Sequence, residues 1–213
     1  MTIRKDDVLE WLQVFAAEVE AQSHHLTALD AAIGDGDHGA NMARGFQAVR
    51  GKLPEFADKD IGTVLKTVGM TLVSTVGGAS GPLYGTLFMQ MGNAVGHKAE
   101  LSAADWAAAL ESGVEGVINR GKAGPGDKTM VDALVPALQA LKQSLAAGGS
   151  FSAGIEAAAS ACREGMLATI PMVARKGRAS YLGQRSAGHQ DPGATSACLL
   201  FQTAARTWSG QRA

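Results

Sequence analysis

Asp30-Ala-Ala-Ile-Gly-Asp35-Gly-Asp37-His38-Gly39-Ala-Asn41 ends one helical pattern and starts another. Its glycines punctuate a turn, and Met42, Phe46 and Val49 resume a helical apolar spacing directly behind it. The run also brings three carboxylates, Asp30, Asp35 and Asp37, within eight residues. Two like charges ~4 Å apart repel by about 4 kcal/mol at an effective dielectric of ~20. Convergent carboxylates therefore need a cation, a proton or ample water. An all-oxygen set suits Mg²⁺, Mn²⁺ or Ca²⁺ rather than zinc. The alternative is a solvated Gly-rich turn in which aspartates are ordinary turn formers. Spacing alone leaves both open.

Outward from this turn, apolar residues recur at helical spacing nearly everywhere. Val8, Leu12, Phe15 and Val19 mark a first helix from near Asp6. Ile61, Leu65, Val68, Leu72 and Val76 mark another, and Trp106, Leu110, Val114 and Val117 follow a Ser102/Asp105 near capping box. Further stripes run through Val131, Leu134, Leu138, Leu141 and Leu145, then through Ile155, Cys162, Met166 and Ile170. A last helix is expected from near Pro192 to about Trp208. Few alternating β-branched runs exist, so the chain reads as an all-α, single-domain antiparallel bundle or barrel of about seven or eight helices. Abundant alanine and glycine along the stripes allow close helix packing.

Composition narrows the function. At 213 residues, 46% hydrophobic and 18% charged, the chain has the length and apolar content for a real core. A net charge of −1 provides no basic field for nucleic acid or an anionic membrane. The N-terminus lacks the apolar core of a signal peptide, and no uncharged apolar run reaches the ~18 residues of a spanning helix. Cys162 and Cys198 are read as two buried thiols in a reducing compartment, and the expected location is cytoplasmic.

Four Gly-rich interruptions, at 33–41, 77–85, 121–127 and 177–193, separate the stripes. In an up-and-down bundle alternate turns fall at the same end, so several of these loops can meet. Gly77-Gly-Ala-Ser80-Gly-Pro82 precedes a helical stretch expected from near Leu83. Backbone N–H groups at such a start form an anion cradle, with Ser80 adding a hydroxyl; close packing or a C-cap is the alternative. Ser80 is a poor hydrolase nucleophile, because the final glycine of G-x-S-x-G and the preceding strand are both missing. His38-Gly39-Ala40-Asn41 opens its helix in the same way.

Two tempting motifs fail. Gly116 to Ala123 imitates a P-loop, but Ala123 replaces the metal-binding Ser/Thr and the first half continues a helix. An EF-hand from Asp35 would need Gly and Glu where Ala40 and Phe46 stand. The cationic loops, Lys122 to Met130 and Arg175 to Arg185, offer Arg178 or Arg185 as a guanidinium clamp for phosphate, or else form solvated basic loops. Met130 and Leu83 could sandwich a nucleobase or serve as plain core. His24 and His25 are read as surface residues. An acidic triad, Gly-rich helix starts and cationic loops together describe a Mg-nucleotide: Mg²⁺ takes a few carboxylates and completes its shell with substrate phosphates.

Four segments then resemble one family in order: Ile33 to Asn41, Gly77 to Leu83, Gly126-Asp-Lys-Thr-Met130, and Ala174 to Gly183 followed by Gly188-His-Gln-Asp-Pro-Gly-Ala-Thr-Ser196. They are similar to the L subunit of dihydroxyacetone kinase over residues 6–206. The resemblance implies an eight-helix barrel with the nucleotide site at one end. It implies that Asp30, Asp35 and Asp37 hold two Mg²⁺ and that these residues and Arg178 serve phosphoryl transfer. His38, Gly39, Ala40, Asn41, Ala79 and Ser80 would contact ADP or ATP. Gly121 and Met130 would border the adenine, and Arg178 with Asp191, Pro192 and Gly193 would complete the pocket.

One branch of the family is fused to its dihydroxyacetone-binding module and uses ATP. The other keeps a tightly held ADP, which a phosphocarrier M subunit of the phosphotransferase system recharges before transfer to dihydroxyacetone on a K subunit. With no second domain in 213 residues, the chain resembles the second branch. A homodimer is expected, and a transcriptional regulator is a further partner to test. The alternatives are an ATP-dependent kinase module for another small keto-sugar and a nucleotide-dependent co-regulator.

Overall fold

The computed structural model describes residues 2–209. Its helices are α1 (Lys5–Ala21), α2 (Ser23–Ile33), α3 (His38–Lys52), α4 (Ile61–Thr75), α5 (Ser80–Val95), α6 (Ala103–Gly121), α7 (Val131–Ala146), α8 (Phe151–Ala168) and α9 (Pro192–Trp208). Single 3-10 segments lie at Leu53–Phe56 and Arg178–Ser186. Two-residue strands β1 (Ile3–Arg4) and β2 (Glu100–Leu101) pair antiparallel, Ile3 opposite Leu101. Among the described residues no helix is long and apolar enough to cross a membrane.

Each helix from α3 onward packs on its neighbour in sequence, and α9 closes the ring against α1 and α2. The result is an antiparallel barrel, as the short connections between amphipathic helices dictate. The described residues hold nine helices rather than eight because the first segment breaks at Gln22, whose ψ of 3° turns the axis. The Gln22 side chain ties the break to Glu18 Oε1 at 3.1 Å. Two other boundaries also differ from expectation. Helix α8 stops at Ala168, short of Ile170, and α5 starts at Ser80, taking Gly81 and Pro82 into its first turn.

A continuous core fills the barrel, with Trp11 at its centre against Phe15, Phe88, Trp106 and Trp208 at centroid distances of 5.3–6.5 Å. Both cysteines are buried and free. Glycines bring α4 and α5 close: a Cβ on Gly62 would sit 2.0 Å from the Gly96 carbonyl.

The topology sorts the connections by end. The turns α2–α3, α4–α5, α6–α7 and α8–α9 share one end, and the β1–β2 pair marks the other. Capping differs between these ends. At the strand end, α4 is capped by Asp60 to Thr63 N (2.6 Å), α6 by Ser102 to Asp105 N (3.1 Å) and α8 by Ser150 to Ala153 N (3.1 Å). At the opposite end, Asp37, Ala79 and Met130 do not cap the helices they precede; Asp30 Oδ2 takes the first amide of α3 and Thr129 Oγ1 that of α7, at 3.1 Å each, and α5 is left open. Helix α9 is capped there by its own N-cap residue, Asp191 to Ala194 N at 2.7 Å.

Candidate functional site

The loops at this end surround an open cleft. On one wall, the turn between α2 and α3 gathers the carboxylates. Ligand oxygens from Asp30, Asp35 and Asp37 lie within 4.8 Å of one another, Asp30 buried and the other two exposed. Asp30 Oδ2 accepts the amides of Asp37 (2.9 Å) and His38 (3.1 Å), so the buried carboxylate sets the turn that presents the others. Gly34 has to be glycine here, since a Cβ would fall 2.1 Å from Asp30 Oδ1. Three hard anionic donors at this spacing fit a divalent cation of the Mg²⁺ class.

His38 opens α3 with both ring nitrogens engaged, Nδ1 3.0 Å from Ser80 Oγ and Nε2 2.9 Å from Ser196 Oγ. Tyr84 donates to Ser196 Oγ at 2.8 Å, and Ser196 lies 3.1 Å from the Gly193 carbonyl that it can serve. Burial pulls the His38 pKa down against the pull of Asp30 and Asp37, favouring the neutral ring. Burial likewise raises the Tyr84 phenol, which stays a donor. This chain of side chains joins α3, α5 and α9 behind the cleft.

The opposite wall comes from the 124–130 turn and the long α8–α9 connection. Met130, Leu83 and Ile33 give it apolar surface. Lys128, in the left-handed region at φ 61°, turns its side chain inward to 1% exposure. Burial pulls its pKa below the ordinary lysine range, and Asp191 pushes the other way. Asp191 is pushed up to about 7, by burial first, with the Ala194 amide and Lys128 opposing. Arg178 stands exposed at the mouth, its Nη2 3.0 Å from Asp35 Oδ2.

Of the residues singled out from sequence, Asp30, Asp35, Asp37, His38, Ala79, Ser80, Met130, Arg178, Asp191, Pro192 and Gly193 line this cleft. Gly39, Ala40, Asn41 and Gly121 do not. Gly39 faces α2, where a Cβ would meet Ser23 O at 1.9 Å. Ala40 is exposed on α3, and Asn41 receives Arg44 Nη2 at 2.5 Å. Gly121 ends α6 behind Leu83. In sequence Tyr84 is an ordinary helix position, Ser196 only the last residue of a motif, and Lys128 one cation among several. The P-loop imitation lies largely inside α6.

A helical barrel that gathers three carboxylates, the uncapped start of α5 and an arginine around one cleft has the donor set of a metal-bound phosphate site without a P-loop. Comparison with known proteins agrees. Residues 32–206 match the DAK2 domain. The chain is 49% identical over 202 residues to the PEP-dependent dihydroxyacetone kinase, ADP-binding subunit DhaL, of Escherichia coli K12, covering 95% of this chain and 96% of that one. A Listeria innocua counterpart, the ADP-binding subunit DhaL of PEP-dependent dihydroxyacetone kinase 1, is 44% identical, with 97% and 98% covered. The crystal structure of the dihydroxyacetone kinase from C. freundii in complex with AMP-PNP and Mg²⁺ superposes with a TM-score of 0.73 at 27% identity, covering 97% of this chain and 34% of that one. The chain belongs to the DhaL family, the ADP-binding subunits of dihydroxyacetone kinase.

Proposed function

We propose that this chain is the phosphoryl-transferring subunit of a phosphoenolpyruvate-dependent dihydroxyacetone kinase, holding Mg-ADP in the cleft as a resident coenzyme. The observation that carries the reading is the meeting of the carboxylate triad with the uncapped N-terminus of α5 in one cleft. Such a terminus carries roughly half a positive charge and free N–H donors. The triad holds Mg²⁺, two ions by the family resemblance, and the bound metal supplies neutralisation of the phosphate oxygens.

The chain's own residues orient the remainder. Ser80 and the first amides of α5 face the phosphates, and neutral His38 fixes the Ser80 hydroxyl from behind. Arg178, exposed and tied only to Asp35 among the ion pairs, can turn its guanidinium to a phosphate oxygen as negative charge builds there. Met130 and Leu83 offer the base an apolar slot. No general base is needed from this chain if a partner subunit activates the dihydroxyacetone.

The partners in this reading are a K subunit that binds dihydroxyacetone and an M subunit that supplies the phosphoryl group. A cytoplasmic setting in glycerol and dihydroxyacetone catabolism follows from them. A homodimer and contact with a transcriptional regulator belong to the same reading as secondary expectations.

The test is direct. Purified protein is denatured and its supernatant analysed by mass spectrometry. About one ADP per chain is expected from wild type and none from Asp35→Asn. A wild-type protein that is empty and ignores added Mg-ADP refutes the reading.

A further inference from the structure

Residues 169–191, between α8 and α9, form the longest connection in the barrel and supply two parts of the cleft wall, 176–179 and Asp191, the latter continued by Pro192 and Gly193 of α9. Few bonds within it link its two limbs. Gly188 N donates to Ile170 O at 2.7 Å, Ala174 N to Ser186 Oγ at 2.8 Å and Asp191 N to Thr169 Oγ1 at 3.0 Å. One bond reaches the neighbouring turn, from Arg175 N to Asp127 O at 3.1 Å. The limbs converge where the connection begins and ends, and the Lys128 ammonium sits in that neck. Nζ donates to Thr169 O at 2.8 Å, Met172 O at 3.2 Å and His189 O at 2.5 Å, and Ile170 O lies 3.5 Å away.

An ammonium has three donors and no acceptor, and these three carbonyls from both limbs use all of them. The arrangement is a carbonyl cage of the kind that holds a monovalent cation, with the cation tethered to a different loop. The cost of burying it is offset by those charge-assisted bonds and by nearby Asp191. The left-handed backbone at Lys128, unfavourable for a side chain by roughly 1 kcal/mol, is retained at the position that aims the stem into the neck.

We infer that Lys128 is a positioning residue. Its ammonium acts as a built-in monovalent cation that closes the neck of the 169–191 connection and so fixes both of its cleft-lining stretches. The inference rests on the nucleotide reading for its consequence, not for its structural content. It predicts that the cage is vacated rather than rebuilt when the stem is cut back. Lys128→Ala removes a fragment equivalent to n-propylammonium.

Hydrogen exchange is measured on nucleotide-free wild type, Lys128→Ala and Lys128→Met. In both variants the amides of 170–190 are expected to exchange at least tenfold faster, while α1 and α4 keep their protection. Adding n-propylammonium is expected to restore protection in Lys128→Ala and not in Lys128→Met, whose stem fills the path. Uncharged n-propanol should restore neither. In the same titration the dissociation of ADP from Lys128→Ala, faster than wild type by tenfold or more, should slow with n-propylammonium.

Unchanged protection in 170–190 overturns the inference, and so does protection that falls but is restored equally by n-propanol, because packing alone then explains the effect. If Lys128→Ala does not fold, Lys128→Met decides on loop protection alone. Wild-type protein that binds no nucleotide while the loop responds as described refutes the nucleotide reading and leaves the role of Lys128 standing.

Discussion

Asp30 has two separable duties, and alanine substitution along the triad pulls them apart. Its Oδ2 accepts two backbone amides, at 2.9 and 3.1 Å, from a buried position. Leaving both donors without their charged acceptor costs roughly 1.5–3 kcal/mol each. Against this stands relief of repulsion among carboxylates within 4.8 Å, worth about 1 kcal/mol per pair near water-like dielectric. Asp30→Ala is therefore expected to lose about 1–4 kcal/mol, a fall of ~2–15 °C in Tm for a domain of this size. Asp37 accepts no capping bond at α3, so Asp37→Ala should keep the ligand-free Tm or raise it by roughly 1–3 °C through relieved repulsion alone. Both variants should lose the Mg-ADP upshift, which at a thousandfold excess over Kd corresponds to about 4 kcal/mol in wild type. Differential scanning calorimetry with and without Mg-ADP reads all of these quantities. An Asp37→Ala protein that keeps the upshift would refute the triad as metal ligands. An Asp30→Ala protein that melts with wild type would refute the anchoring role.

Three further outcomes follow from the same geometry. Ser196→Ala leaves the buried Tyr84 hydroxyl and His38 Nε2 without their shared partner, and urea unfolding should show a loss of about 2–4 kcal/mol; Tyr84→Phe, which removes the donor itself, should cost no more than about 1 kcal/mol. Asp191, with its folded pKa raised to about 7, contributes most to stability when protonated. That contribution is full below the unfolded value of ~3.9 and is lost as pH rises through 7, by up to roughly 4 kcal/mol. Asp191→Asn should flatten the fall in stability between pH 4 and 7 while keeping an acceptor for Ala194 N. Gly39→Ala places a methyl 1.9 Å from Ser23 O and 2.8 Å from Thr27 N, so α2 and α3 must part; a loss of about 3 kcal/mol is expected, read as a lower urea midpoint.

The barrel was legible because its helices carry their apolar faces openly in sequence, and because Pro192 sits where a first turn accepts proline. The Gln22 break was not, since neither glycine nor proline marks it and the turn depends on how α1 and α2 each settle on α3 and α9. The same proline rule, applied at Pro82, would have placed the start of α5 at Ser80. In the cleft, Asp30, Asp35 and Asp37 announced themselves by charge density. Gly39 shares their segment but faces α2, and Asn41 packs behind Gly77 and takes Arg44 Nη2, a matter of helix rotation that local spacing leaves undecided. Lys128 was visible as a cation and invisible as a buried one. Burial of a lysine is settled by which carbonyls a distant connection brings to it, and no local signal encodes that.

The contrast in capping gives the molecule a direction. At the strand end the polypeptide finishes its own helices with Asp60, Ser102 and Ser150. At the other end Asp30 and Thr129 reach the first amides of α3 and α7, and α5 waits for groups the chain does not contain. Fraying of the empty protein should therefore start at one pole and travel toward the other. Limited proteolysis should nick 76–80 well before 96–103, and bound Mg-ADP should erase the difference. In a cell, the lifetime of such a chain would then depend on how quickly a newly made copy meets its first nucleotide.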